Sequence, residues 1–320
     1  MSRLRIEQRR GFAVEAEHEV DAVIATAQGR VLELVGEDVV TTFRSAAKPF
    51  QLEVSYGLLS AHEQSILDER DLAIGAASHH GEPVHIEHVQ SLLHRFGRGV
   101  EHLHCGSHAP THAESARALF ASGGVPCPLH HNCSGKHAFM AAACHVQGFE
   151  EDYRPASHPL QQRISERVRE ASCGALVGSV VDGCGLPCFV LPLSGMASAW
   201  AELARSMREA QGSVLGRIGL AMQAHPLLMS GSDAFDGWLT AHANVVAKVG
   251  AQGLLCMALP GEGVGVALKV RSGTDVVRPV AALALLERYF PGLLREPAPR
   301  RFSDVTNAVG AVVGEIACTT

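Results

Sequence analysis

The distribution of strand-like and helix-like segments most constrains this chain, because the first stand at its two ends and the second fill its middle. Val20 to Thr26 is rich in β-branched residues, Gln28-Gly29 is a turn signal, and Val31 to Val35 resumes strand character. This spacing predicts an antiparallel hairpin near the start. From Lys48 to Phe149 the pattern is mostly helical, with apolar residues three and four apart in Ile86 to Phe96, Thr111 to Phe120 and Gly135 to Val146. Gln161 to Ala171 and Met196 to Ala210 read as further amphipathic helices. Strand character returns in Leu254 to Leu259 and Gly265 to Val270, on either side of the turn signal Pro260-Gly261-Glu262-Gly263. Pro279 to Phe290 then reads as a helix with Pro in its first turn, and Val309 to Ile316 as a last strand. Such an order predicts an α+β chain whose termini share one antiparallel sheet. No linker, repeat or low-complexity tract interrupts residues 1–320, so one domain is expected, with a helical lobe over roughly residues 48–240.

Composition narrows the function classes. With 47% hydrophobic and 19% charged residues, the 320-residue chain can bury a sizeable core. A formal charge of −6 and the lack of any basic stripe argue against nucleic acid as partner. Met1 to Arg10 is polar and charged, and apolar runs such as Ala281 to Leu286 are too short to span a bilayer. The expectation is a cytoplasmic protein without a membrane partner. Nine cysteines, an odd number, fit thiols better than a disulfide framework. The eighteen histidines gather at His79–His80, His102 to His112 and His130 to His137, which hints at polar, metal-bearing surroundings.

Five short segments can carry chemistry. Arg44-Ser45-Ala46-Ala47-Lys48-Pro49 holds S-x-x-K, in which a helix would bring Lys48 to the face of Ser45. A serine becomes a nucleophile when a base takes its proton, and lysine can be that base once burial lowers its pKa. The bland reading is a helix start with Ser45 as N-cap. Ala77-Ser78-His79-His80-Gly81-Glu82-Pro83 sets a hydroxyl, two imidazoles and a carboxylate between an apolar, strand-like run (Leu72 to Ala77) and a helix. It reads equally as a polar turn in which Ser78 and Glu82 cap that helix. His130 to His137 includes Asn132-Cys133-Ser134-Gly135-Lys136 at the head of an apolar helix, and Val181 to Pro187 carries Asp182 and Cys184. Two cysteines and a third donor can bind zinc, although no C-x-x-C spacing supports a metal, and a buried thiol is the alternative. Lys248-Val249-Gly250 opens a late strand, a partial match to the K-T-G element of serine–lysine enzymes; a solvated strand-end lysine is the bland reading.

In order, RSAAKPFQ, ASHHGEPVH, HCGSH, HHNCSGKH, VDGCGLP and KVGAQGL resemble the motifs of the zinc-containing asparaginase family typified by the Rhizobium etli enzyme. The likeness runs from Arg44 to Val270, and NCSGKH and DGCGLP make it specific. It implies a fold like the serine β-lactamases and glutaminases, and hydrolysis of L-asparagine to aspartate and ammonia. It also implies serine–lysine tandems at Ser45 with Lys48 and at Ser78 with Lys248, with one Zn²⁺ held by Cys133, Lys136 and Cys184. Arg44, His79 and Asp182 fall at motif positions expected to meet or orient the small amide substrate. A homodimer is implied too. A lysine ligand binds metal only as the neutral amine, which a nearby zinc charge favours.

One stretch departs from the family pattern. After a His-Pro pair the pattern is Gly-x-Gly-Arg-aromatic-Cys/Asp-Thr, whereas here Gly231-Ser232-Asp233-Ala234-Phe235-Asp236-Gly237 puts Ala234 at the arginine position and Gly237 at the threonine position. Asp233 adds a negative charge that could favour a different amide. The residues therefore leave room for two other functions: a zinc-hydroxide amidohydrolase acting on another small amide, and a non-catalytic amide- or zinc-binding protein. The expected chemistry is acyl transfer through a serine, Ser45 or Ser78, with backbone N–H groups near the nucleophile stabilising the oxyanion.

Overall fold

The computed structural model describes residues 2–209 and 212–319, so Ala210, the expected end of one helix, lies outside the described residues. The strands are β1 (Leu4–Arg10), β2 (Ala13–Thr26), β3 (Val31–Val35), β4 (Val40–Thr42), β5 (Gly178–Val181), β6 (Pro187–Pro192), β7 (Val246–Gly250), β8 (Leu254–Leu259), β9 (Val264–Val270), β10 (Asp304–Thr306) and β11 (Val312–Cys318). Eight of them form one antiparallel sheet in the order β10-β11-β1-β2-β9-β8-β7, with β3 also on β2. Both ends of the chain meet in that sheet, as the segment pattern predicts. The long β2 makes this possible. Its first half pairs with β1 (Ile6 opposite His18), and its second half with β9 on one edge (Ala22 opposite Leu268) and β3 on the other (Ala22 opposite Val35).

Strand alternation then builds two cores. Val23 and Ala25 of β2, Val246 of β7 and Cys256 of β8 face the helical lobe, while Ala22, Ile24, Ala247 and Leu255 face the opposite side. Because β8 is buried on both faces, it reads as the unbroken apolar run Leu254 to Leu259. The second core is closed by helices Phe235–His242 and Arg278–Tyr289, the latter with Pro279 in its first turn. Helix Leu193–Glu209 lies across β9, β2 and β8 on the lobe side. No described helix is long and apolar enough to cross a membrane.

One sequence expectation needs correcting, and two features were not read. Leu72 to Ala77 is not strand-like: helix Glu69–Gly75 occupies it, started by a capping box in which Asp68 and Asp71 each accept the other's N–H at 3.0 and 2.9 Å. A short apolar run does not distinguish strand from buried helix, and the cap was the deciding signal. The polar segment Leu4–Arg10 is a strand, since only Leu4 and Ile6 need an apolar face. The small sheet β4-β6-β5 also went unread, and its hairpin β5–β6 (Val181 opposite Pro187) turns Asp182 to Leu186 into a loop.

Candidate active site

Four chain segments deliver the chemistry to one place. Lys248 has the same strand parity as Val246, so it points from β7 into the helical-lobe side of the sheet. The 3₁₀ turn Arg44–Ala47 packs against β7 and runs straight into helix Lys48–Gly57. That turn is pinned by Phe43 N–H on the Phe189 carbonyl of β6 at 2.8 Å, and by Trp200 Nε1–H on the Ala46 carbonyl at 3.2 Å. Ser78 and His80 dock beside residues 229–230 through N–H bonds to the carbonyls of Met229 (3.0 Å) and Ser230 (2.8 Å). Helix Ser134–Gln147 approaches helix Glu69–Gly75 so closely that a Cβ on Gly135 would lie 2.1 Å from the Ile74 carbonyl oxygen. Gly135 is therefore what lets Cys133 and Lys136 reach the site.

The amines find partners other than those the motifs suggest. Lys48, with no exposed surface, donates to Ser78 Oγ at 2.8 Å, to the Asn132 carbonyl at 3.3 Å, and to the Ala77 carbonyl. It is not bonded to Ser45, whose Oγ has no hydrogen-bond partner among the described residues. Lys248 donates not to Ser78 but to Asp236 Oδ2 at 3.3 Å, an oxygen that also accepts Val249 N–H at 3.1 Å. The tandems of the sequence reading are thus re-paired, because a three-residue spacing fixes a shared helix face but not a contact across the fold. Burial lowers Lys48 to about 8, with no carboxylate bonded to it to hold the proton. Burial lowers Lys248 too, against the pull of Asp236. Asp236 would be raised by its own burial, yet the Lys248 ammonium and the Val249 N–H hold it below the usual carboxylate range.

Cys133, Lys136 and Cys184 converge, all nearly inaccessible. A hydrogen bond from Cys184, aided by the Lys48 and Lys136 ammoniums, favours the thiolate on Cys133, and Cys184 is correspondingly pushed up. Burial alone would lower Lys136, but Cys184, Cys133 and Asp182 raise it. Its amine also reaches Gln51 Oε1 at 3.3 Å. The two sulfurs are donors of the type that a zinc ion takes, and the Lys136 amine can join them only when neutral, against the upward pull of its neighbours.

Above these groups opens a cavity of about 420 Å³ lined by Ser45, Ser78, Cys133, Cys184, Asp182 and Arg278, among others. Arg44 Nε stands 2.9 Å from Asp182 Oδ1, an ion pair off the hydrogen-bond direction, on a wall formed with the hairpin loop. Arg44 has φ of 46°, a left-handed conformation that costs a residue with a Cβ about 1–3 kcal/mol and is characteristic of functional sites. His80 lines the cavity and bonds Asp233 at 2.7 Å. His79 does not reach the cavity. It is fully buried, with Nε2 2.7 Å from Ser134 Oγ and its ring stacked on His85, so its expected substrate contact is replaced by a bracing one.

The family model of L-asparaginase II matches residues 6–318. The chain belongs to the L-asparaginase II family. No curated protein matches it significantly. Among solved structures it is similar to native Mglu (18% identity, TM-score 0.39, covering 88% of this chain and 66% of that one). It is also similar to a β-lactamase from Mycobacterium bovis (13%, TM-score 0.42, 84% and 94%). A third is the Bacillus subtilis glutaminase YbgJ in covalent complex with 5-oxo-L-norleucine (14%, TM-score 0.36, 83% and 88%). The chain thus spans 66% of the length of Mglu.

Against the motif pattern of the L-asparaginase II family, the two departures are locally absorbed. Ala234 is buried at the N-cap of helix Phe235–His242. A Cβ on Gly237 would lie 2.4 Å from Ser230 Oγ, so a threonine there would need Ser230 to move. Asp236, Asp275, Arg278 and His80 were missed as site residues. Asp236 had one usable signal, its place at the Cys/Asp position of the motif.

Proposed function

We propose that this chain hydrolyses the side-chain amide of L-asparagine to L-aspartate and ammonia, with Lys48 as general base and Ser78 as nucleophile. One observation carries the reading: the buried amine of Lys48 lies 2.8 Å from a hydroxyl that lines the cavity. Neutral Lys48 takes the Ser78 proton as Oγ bonds to the amide carbon. The C–N bond then breaks, and ammonia leaves with the proton returned from Lys48. Water, deprotonated by the same amine, attacks the ester, and Ser78 regains its proton as aspartate departs. Ser78's own N–H is committed to the Met229 carbonyl, so oxyanion stabilisation falls to other donors than that group.

The same reading gives Cys133, Cys184 and Lys136 to a zinc ion, which when bound would act as a Lewis acid beside the cavity. Lys136 must shed a proton to serve as ligand, so metal uptake releases acid. Metal content of the purified protein tests this, and zinc retained by Cys184→Ala at wild-type stoichiometry would refute the assignment.

A second reading rests on Ser45. Its unpartnered hydroxyl stands on the cavity wall directly after strained Arg44, and acylation there would make Ser78 the relay that carries its proton to Lys48. Trapping the acyl-enzyme and mapping the modified peptide decides between the serines. Modification of neither sinks both schemes.

A further inference from the structure

The residues that line the cavity include Arg278, from the far end of the chain. Arg278 begins the helix that closes the second core, and its side chain is only 12% exposed. One nitrogen carries its protein contacts: Nη1 donates to the Gly250 carbonyl at 3.0 Å and to Asp275 Oδ1 at 2.5 Å. Its other edge, Nε with Nη2, makes no hydrogen bond among the described residues, and Nε is shielded from solvent. Asp275 is fixed in turn by Gly253 N–H at 2.8 Å, and Gly250 ends the strand that carries Lys248. The guanidinium is therefore held from behind by the active-site strand, with donors left unpaired. Unpaired guanidinium donors suit a carboxylate. The other guanidinium in the cavity, Arg44, directs its Nε towards Asp182, His80 is bonded to Asp233, and Ala234 brings no charge.

We propose that Arg278 is the residue that recognises the substrate's carboxylate, through the part of its guanidinium that Gly250 and Asp275 leave unpaired. The substrate class is then small amides that also bear a free carboxylate, such as amino acids with a side-chain amide. For turnover this rests on the amidohydrolase reading above, but binding tests it separately. A buried charge-assisted pair of this kind separates ligands by about ten- to a hundredfold.

Ammonia release from L-asparagine is compared with that from 3-aminopropanamide, which lacks only the carboxylate, in the wild type, Arg278→Gln, Arg278→Lys and Arg44→Gln. The wild type favours asparagine by about a hundredfold in kcat/KM. Arg278→Gln cuts that ratio about tenfold or more, chiefly through the KM for asparagine, and Arg278→Lys restores part of it. Because the ratio is taken within each variant, general damage to the enzyme cancels. Calorimetric titration with L-aspartate runs alongside, and Arg278→Gln weakens that binding about tenfold. If no amide is hydrolysed and aspartate still binds through Arg278, the hydrolytic reading fails and the carboxylate site stands. An unchanged ratio together with unchanged aspartate affinity in Arg278→Gln overturns the proposal, as does loss of the preference in Arg44→Gln alone.

Discussion

Two lysines, both without exposed surface, sit in this site and meet opposite surroundings. Lys48 is ringed by carbonyls and a hydroxyl, whereas Lys248 faces the carboxylate of Asp236. Burial is the same in each case, so the partner decides the chemistry. An amine whose hydrogen bonds go only to neutral acceptors gives up its proton more readily, whereas a carboxylate partner works against that loss. The first is suited to be a base and the second to shape the local field. The harshest way to break this contrast is to delete the first couple. Ser78→Ala and Lys48→Met should each lower kcat by on the order of 10⁴-fold while the far-ultraviolet circular dichroism stays native. If Lys248→Met alone abolishes activity and Lys48→Met retains much of it, the roles are reversed.

The second couple should show its role in stability. Asp236→Ala leaves the Lys248 ammonium buried without its counter-charge and should cost about 3–5 kcal/mol in urea unfolding. Adding Lys248→Met to that variant should recover a large part of the loss. Additive losses in the double variant would mean that the pair is not coupled.

The sequence made the helix-borne and loop-borne groups legible, but not the contacts among them. Strings such as NCSGKH and DGCGLP locate Cys133, Lys136 and Cys184, and the structure brings these together. The antiparallel sheet shared by both termini was legible because β8 and β9 flank a strong turn signal and are apolar apart from Lys269. Lys48 reaching Ser78, thirty residues away, was not legible, since it depends on how the loop after helix Glu69–Gly75 docks on Met229. His79 and His80 show the same limit at one-residue resolution. Adjacent imidazoles point into the core and into the cavity, and only backbone pairing decides which does which. Arg278 had no local signal at all, because an arginine before a proline at a helix start is common on surfaces.

A gentler probe of the contrast is pH. Lys48 is lowered to about 8 by burial, so the neutral base grows as pH rises through that value. Below it the amine is protonated and cannot take the serine proton. With Lys48 as base, kcat/KM should climb about tenfold between pH 7 and pH 9 and level off above. A profile that is flat across this range, or that falls as pH rises, would remove Lys48 from that role.

The smallest effect expected is at Ser45. Its hydroxyl makes no hydrogen bond among the described residues, so Ser45→Ala strands no buried partner and should shift stability by less than about 0.5 kcal/mol. With Ser78 as the acylated group, the rate should fall by no more than about tenfold, the contribution of a wall residue that positions substrate. The measurement is kcat for asparagine, set beside that of Ser78→Ala. Equal and severe losses at both serines would move the acyl group to Ser45 and leave Ser78 as the hydroxyl through which Lys48 acts. Lys48 would remain the base in either case, because its amine lies within hydrogen-bonding distance of Ser78, and Ser78 would be the path to it.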